Sequence, residues 1–190
     1  MNKELLVIPS ECFTQYDLST PGLKDVIPEE RFSLTISSEV AEHIDAKFSD
    51  AFMDNLTSFS DVILFSAAIP GQGGTHHVNE QWPSYWAEKF RARGFIPADC
   101  IRPQIWNDRE IFYWYRQNML LFVRENTLQH YPSLIPETQR PLLDIVHPEK
   151  WQSTLNLSGM GFKTLCRITF KGLVGLIPAF VRGVKRRLIA

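Results

Sequence analysis

The chain has 190 residues, 44% of them hydrophobic, with 20 Lys/Arg against 21 Asp/Glu. That is enough for one packed domain and an appendage, and too apolar for a disordered chain. Three cysteines, Cys12, Cys100 and Cys166, lie far apart without C-x-x-C spacing, which excludes a zinc ribbon or a disulfide framework and suits a reducing cytoplasm. The opening MNKELLVIPSE is charged too early for a signal peptide. Near-neutrality hides a split: residues 150–190 hold eight Lys/Arg and no acidic group, so residues 1–149 carry a formal −9 against +8. Such asymmetry predicts two parts with different partners.

Residues 5–8 (LLVI), stopped by Pro9, predict a short strand, and the alternation of residues 12–18 predicts a second. Pro21, Gly22 and Pro28 mark a loop. Residues 32–37 (FSLTIS) are uncharged, as a buried parallel strand requires. Val40, Ile44, Phe48, Phe52 and Leu56 recur every four residues and predict one helix over residues 39–59, with Ser38 as its N-cap. Residues 61–68 (DVILFSAA) predict a second buried strand. Strand, helix and strand in this order are a βαβ unit. A Gly-rich loop follows. A helix over residues 83–93 then has Pro83 near its start and Gly94 just past its end. Residues 95–102 and 119–124 predict the last two strands. Residues 126–158, rich in Pro, Ser, Gln and Thr, read as a linker.

In an open parallel sheet, ligands bind beyond the carboxyl ends of the strands. That rule selects Asp17-Leu18, Ser37-Ser38-Glu39 and the loop of residues 67–82. Three stretches, SSEVAEHI (37–44), DVILFSAAIPGQGGTHHVNEQWPSYWAEKFRARGF (61–95) and WYRQNMLLFV (114–123), resemble successive pieces of class I S-adenosylmethionine (SAM)-dependent methyltransferases of small molecules. The resemblance covers about residues 13–123, and it implies an α/β, Rossmann-like, mostly parallel sheet with flanking helices. It implies that Asp17 and Leu18 lie near the adenine, and that Ser37, Ser38, Glu39 and His43 line the cofactor pocket. It also implies that the loop of residues 67–82 faces the methyl acceptor. The glycine-rich turn and the ribose-binding acid that open such domains have no counterpart here, since the first glycine is Gly22. The expected domain, residues 1–125, is therefore N-terminally incomplete. It is a gene fragment, a half completed by a partner subunit, or a non-catalytic relic.

Glu39, Glu42 and His43 stand at i, i+3 and i+4, one face of a helix. They read either as helix polarity with a cofactor contact or as a divalent-metal site, with His76 or His77 as the candidate to complete its shell. Some relatives with catechol-like acceptors use such an E-x-x-E-H cluster, and carboxylates with imidazole suit Mg²⁺, Mn²⁺ or Zn²⁺. His76 and His77 are the candidate acid–base pair, because O-methylation requires loss of the acceptor proton. The alternative is that they hydrogen-bond their own loop. Asn79, Glu80, Gln81 and Trp82 are candidate acceptor contacts, with a core role as the alternative for the tryptophan. In the tail, Lys163, Arg167, Lys171, Arg182 and Arg186 form a stripe opposite Leu165, Ile168, Leu173, Leu176 and Ile177. Residues 159–190 thus read as a basic amphipathic helix for the inner membrane surface or for a partner. The apolar content argues against nucleic acid. The expected activity is methyl transfer to a small molecule, a sugar or lipid-linked glycan, impaired in this chain. The alternative is an accessory protein acting through protein or membrane contact.

Overall fold

The computed structural model describes residues 7–27, 31–139 and 141–155. The chain divides into two compact units, Met1–His147 and Pro148–Ala190. In the first, strands β1 (Thr35–Ser38), β2 (Val62–Ser66), β3 (Phe95–Ala98) and β4 (Leu120–Arg124) form one sheet in the order β1-β2-β4-β3. β1 runs parallel to β2, with Thr35 opposite Ile63 and Ser38 opposite Ser66. β4 enters between β2 and β3, antiparallel to both. The α/β expectation holds in this coarser form, while the mostly parallel sheet is corrected to a mixed one with a single parallel pair. An apolar run shows that a strand is buried, but not its direction.

The helices are α1 (Leu23–Val26), α2 (Ser49–Thr57), α3 (Pro83–Arg91), α4 (Arg102–Ile105), α5 (Tyr113–Asn118) and α6 (Ile135–Thr138). α3 matches its sequence signals: Pro83 occupies the first turn and Gly94 has φ 75°, a left-handed conformation that glycine adopts without a steric cost. The two N-terminal strands are corrected. Residues 12–18 are not a strand; Ser10–Cys12 form a 3₁₀ turn, and Val7 and Ile8 are exposed and irregular. Asn55 pins the following segment from α2, its Nδ2 donating to the Thr20 carbonyl at 2.7 Å and its Oδ1 accepting from Leu23 N–H at 3.1 Å.

The long helix expected over residues 39–59 is broken. Glu39 has φ 51°, a left-handed backbone in which no helix can begin, and Ser38 ends β1 instead of capping a helix. Two 3₁₀ turns follow, Ala41–His43 and Ala46–Phe48, and the Asp45 side chain accepts from Lys47 N–H at the second. Only then does α2 start. It packs Phe52, Met53 and Leu56 into the core. The four-residue apolar spacing survives the breaks only in part: Val40, Ile44, Phe52 and Leu56 pack on or in the core, while Phe48, at the second 3₁₀ turn, is exposed.

The core sits between the sheet and α2 and α3. Phe90 stacks on Phe122 with ring centroids 3.8 Å apart, and Phe65 meets Phe90 edge-on at 5.3 Å. The sheet's two edges differ. β3 carries Pro97, which has no N–H to offer, and α6 lies beside it, its Glu137 carbonyl accepting from Asp99 N–H at 3.3 Å. β1 has no strand on its outer side among the described residues, and Phe32, Leu34 and Ile36 are exposed there, Ile36 to 61%.

The stretch expected to open a linker at residue 126 is largely exposed or half-buried up to the buried His147, yet its described residues carry regular turns and anchoring contacts. Helical turns occupy Glu125–His130, Pro132–Leu134 and α6. Buried Arg102 pairs with Asp99 at 2.7 Å and donates to the carbonyls of Gln117, Leu142 and Leu143. His147 N–H donates to Gln117 Oε1 at 2.8 Å. The anchoring acceptors are mostly backbone carbonyls, which composition does not reveal. In the second unit, α7 (Pro148–Leu155) is described. The amphipathic helix expected at residues 159–190 and the part of the expected strand before Val7 lie outside the described residues. Among the described residues, no helix is long and apolar enough to cross a membrane.

Candidate functional site

Because β1 and β2 are parallel, their carboxyl ends open on the same edge of the sheet. The turn after β1, residues 38–44, therefore meets the loop after β2, residues 67–82. Val78 N–H and Asn79 N–H both donate to the Glu42 carbonyl, at 2.9 and 3.0 Å, and Gln81 N–H donates to the Ala68 carbonyl. Between turn and loop lies a cavity of about 340 Å³ lined by Glu39, Glu42, His43, Gln72, Gly73, Gly74, His77, Tyr113 and Trp114. Both non-glycine residues with left-handed backbones among the described residues, Glu39 and His76 (φ 59°), are in these two segments. Backbone strain of this kind clusters at functional sites.

Glu42, His43 and His77 each bring a ligand atom within 4.8 Å of the others. Glu42 is fully buried, and neither of its carboxylate oxygens has a hydrogen-bond donor. Burial pushes its pKa up; its own amide N–H opposes this without reaching hydrogen-bond geometry, Glu39 adds to the rise, and His43 and His77 counter it. His77 Nε2 stands 3.9 Å from Glu42 Oε1, too far for a hydrogen bond, and the His43 and His77 rings meet edge-on at 5.0 Å. A buried carboxylate without donors is costly. A divalent cation between it and two imidazoles removes that cost, and the carboxylate–imidazole donor set suits Zn²⁺, Mn²⁺ or Fe²⁺.

Glu39 lines the cavity, but its carboxylate is engaged. It accepts from Gln72 Nε2 at 2.9 Å and from Asn118 Nδ2 at 3.2 Å, and Asn118 also donates to Gln72 Oε1 at 2.9 Å. Of the metal set expected from the sequence, Glu42 and His43 come together with His77, one of the two histidines offered to complete the shell, while Glu39 lies in the cavity wall. The shared helical face from which that set was read does not exist, since Glu39 precedes the 3₁₀ turn that holds Glu42 and His43.

The histidine pair divides. His77 faces the cavity. The His76 side chain is exposed and its carbonyl lies 3.3 Å from His43 Nδ1. Glu80 turns into its own loop, accepting from Gly71 N–H and Gly73 N–H at 2.7 Å each and lying 3.0 Å from His77 Nδ1. Burial would raise the Glu80 pKa, but the His77, Gly73 and Gly71 hydrogen bonds hold it below its ordinary value. Asn79 is buried, donating to Ser49 Oγ at 3.2 Å and accepting from Gln81 Nε2 at 3.0 Å. Asn79, Glu80, Gln81 and Trp82 are all outside the lining of this cavity, and the first two hold the loop together through their hydrogen bonds. The sequence reading missed Gln72, Tyr113 and Trp114. Gln72 had a local signal, an amide between two glycines.

A second groove of about 380 Å³ runs along β1, lined by Leu18, Leu23, Phe32, Ser37, Ser38, Val40 and other mostly apolar groups. Among the described residues its lining includes no titratable side chain. Ser37 Oγ is buried without a hydrogen-bond partner, and Ser38 Oγ pairs with Ser66 Oγ at 3.1 Å. Asp17 is exposed, its pKa lowered by hydrogen bonds from the Ser19 hydroxyl and amide. The groove has the apolar character that an adenine ring needs, with one unsatisfied hydroxyl. It has no charged group for the amino-acid end of SAM, so the described residues do not fit the whole cofactor. No family model, curated protein or solved structure matches the chain.

Proposed function

We propose that this chain binds a divalent cation through Glu42, His43 and His77 and holds a hydroxyl-bearing small molecule beside it, as the acceptor-side half of a SAM-dependent methyltransferase. The observation that carries the reading is the Glu42 carboxylate, fully buried with no donor on either oxygen and two imidazoles beside it. Such a cation supplies Lewis acidity, lowering the pKa of a bound hydroxyl. The chain's own groups do the rest. Tyr113 and Trp114, their rings edge-to-face at 82°, give the acceptor an aromatic wall. The Glu39–Gln72–Asn118 network holds Glu39 and Gln72 in the cavity wall through three hydrogen bonds of 2.9–3.2 Å. His77, with Nδ1 next to Glu80, has only Nε2 to bind a cation or accept a proton. The described groove lacks partners for the charged end of SAM.

The test is calorimetric titration of the chelator-stripped full chain with Mn²⁺ and Zn²⁺. One site per chain is expected, lost in His77→Ala and kept in His76→Ala. Binding that ignores His77→Ala sinks the assignment.

A second reading, an accessory protein acting through protein contact, is favoured by the open β1 edge with exposed Phe32, Leu34 and Ile36. Unpaired apolar edges are sites of strand addition.

A further inference from the structure

The imidazoles of the cluster have something in common beyond their place in the cavity. Each is met at Nδ1 by an acceptor from a single loop: His77 by Glu80 Oε1 at 3.0 Å, and His43 by the His76 carbonyl at 3.3 Å. A neutral imidazole that donates from Nδ1 keeps its lone pair on Nε2. Metal-binding histidines are typically held this way, by a carboxylate or carbonyl on the other nitrogen.

Glu80 does more than meet His77. The oxygen that faces Nδ1 also accepts from Gly73 N–H, and the other oxygen accepts from Gly71 N–H, both at 2.7 Å. Gly71 and Gly73 have φ of 79° and 75°, so the loop turns its amides inward in a backbone that other residues rarely adopt. Gly74 closes against the same ring: a Cβ there would lie 2.2 Å from His77 Nε2. One carboxylate therefore ties the fold of residues 71–80 to the orientation of one imidazole.

We propose that Glu80 is a positioning residue of this site: it fixes His77 as the Nδ1–H tautomer and clamps the 71–80 loop to it, so that cation binding and loop closure are one event. This inference rests on the metal reading above and deepens it. A cation that draws on Nε2 makes Nδ1–H a stronger donor, which strengthens its bond to Glu80 and favours the loop that Glu80 organises. The Glu80 side chain thus acts on the loop and through His77, and it does not contact the acceptor.

The experiment uses the stripped full chain with Co²⁺ as probe. Affinity is read from visible absorption, and loop order from hydrogen exchange at the Gly71 and Gly73 amides. Wild type is expected to bind one Co²⁺ and to slow exchange at both amides. Glu80→Gln is expected to bind Co²⁺ about 10–100-fold more weakly, with Co²⁺ no longer slowing that exchange. Independently, the imidazole ¹⁵N shifts of cation-free wild type at about pH 8, above the ordinary imidazole range, are expected to show His77 protonated on Nδ1. Co²⁺ bound equally well by Glu80→Gln, or His77 protonated on Nε2, overturns the proposal. Absence of Co²⁺ binding in wild type with the Nδ1–H tautomer present overturns the metal reading and, with it, the coupling. If Glu80→Gln does not fold, the tautomer in wild type decides.

Discussion

Glu42→Gln is expected to make the cation-free protein more stable at neutral pH while abolishing its cation site. The substitution keeps the shape of the side chain and removes its charge. It also introduces an amide N–H facing His77 Nε2, which stands 3.9 Å from Oε1 in the parent. A buried polar group without a partner costs about 1–3 kcal/mol, more when charged, and both Glu42 oxygens are in that position. The expected gain is therefore about 1–3 kcal/mol, or about 2–4 °C in melting temperature per kcal/mol for a chain of this size. The sign of the pH dependence follows from burial, which raises the Glu42 pKa in the folded state. The protonated side chain stabilises the fold fully below the ordinary glutamate value, and that contribution is lost as pH rises through the raised one. The two proteins should melt together in acid and separate toward neutrality, Glu42→Gln above wild type. Scanning calorimetry in excess chelator, from about pH 4 to about pH 8, measures the gap. Mn²⁺ at about 1,000 times its Kd should reverse the order, because ligand bound only by the folded wild type then adds about 4.1 kcal/mol. A gap that is absent at neutral pH, or constant across the range, refutes the reasoning.

Gly74→Ala places a Cβ 2.2 Å from His77 Nε2, so the ring must rotate away; cation affinity measured by calorimetric titration should fall about tenfold or more, with the far-UV circular dichroism unchanged. Phe122→Ala removes the ring that stacks on Phe90 at 3.8 Å, and urea unfolding should register a loss of about 3–5 kcal/mol, with a loss below about 1 kcal/mol counting against this cluster as the core.

What the sequence made legible was what neighbouring residues decide. β2 is an apolar run bounded by turn signals, and α3 carries its own start and stop in Pro83 and Gly94. Glu42, His43 and His77 were also within reach, because few residue types other than carboxylates and imidazoles bind cations. The reason for their convergence was not. A regular helix would have placed Glu39 with Glu42 and His43. The left-handed backbone at Glu39 instead ends β1 in a sharp turn, and no propensity marks a glutamate for that conformation. The role of Glu80 was hidden for a related reason: its partners are two glycine amides and a ring nitrogen, presented only once the loop has closed on itself. Tyr113 and Trp114 reach the cavity from α5, more than thirty residues from the loop that they face, a pairing that no local pattern contains. The antiparallel entry of β4 is likewise a matter of how the chain returns through α4 and α5, and not of the composition of β4.

The difference between the two sheet edges limits how far this protein can assemble. Growth by strand addition needs a donor edge and an acceptor edge on every subunit, so that each arrival exposes a fresh site. On the β3 side, Pro97 and α6 stop that process. A second sheet joined at β1 consumes the receptive border of both molecules and leaves none, so stacking through the sheet ends at a pair. Among the described residues β1 is thus the one receptive border, which favours a single heterologous or twofold union over a filament.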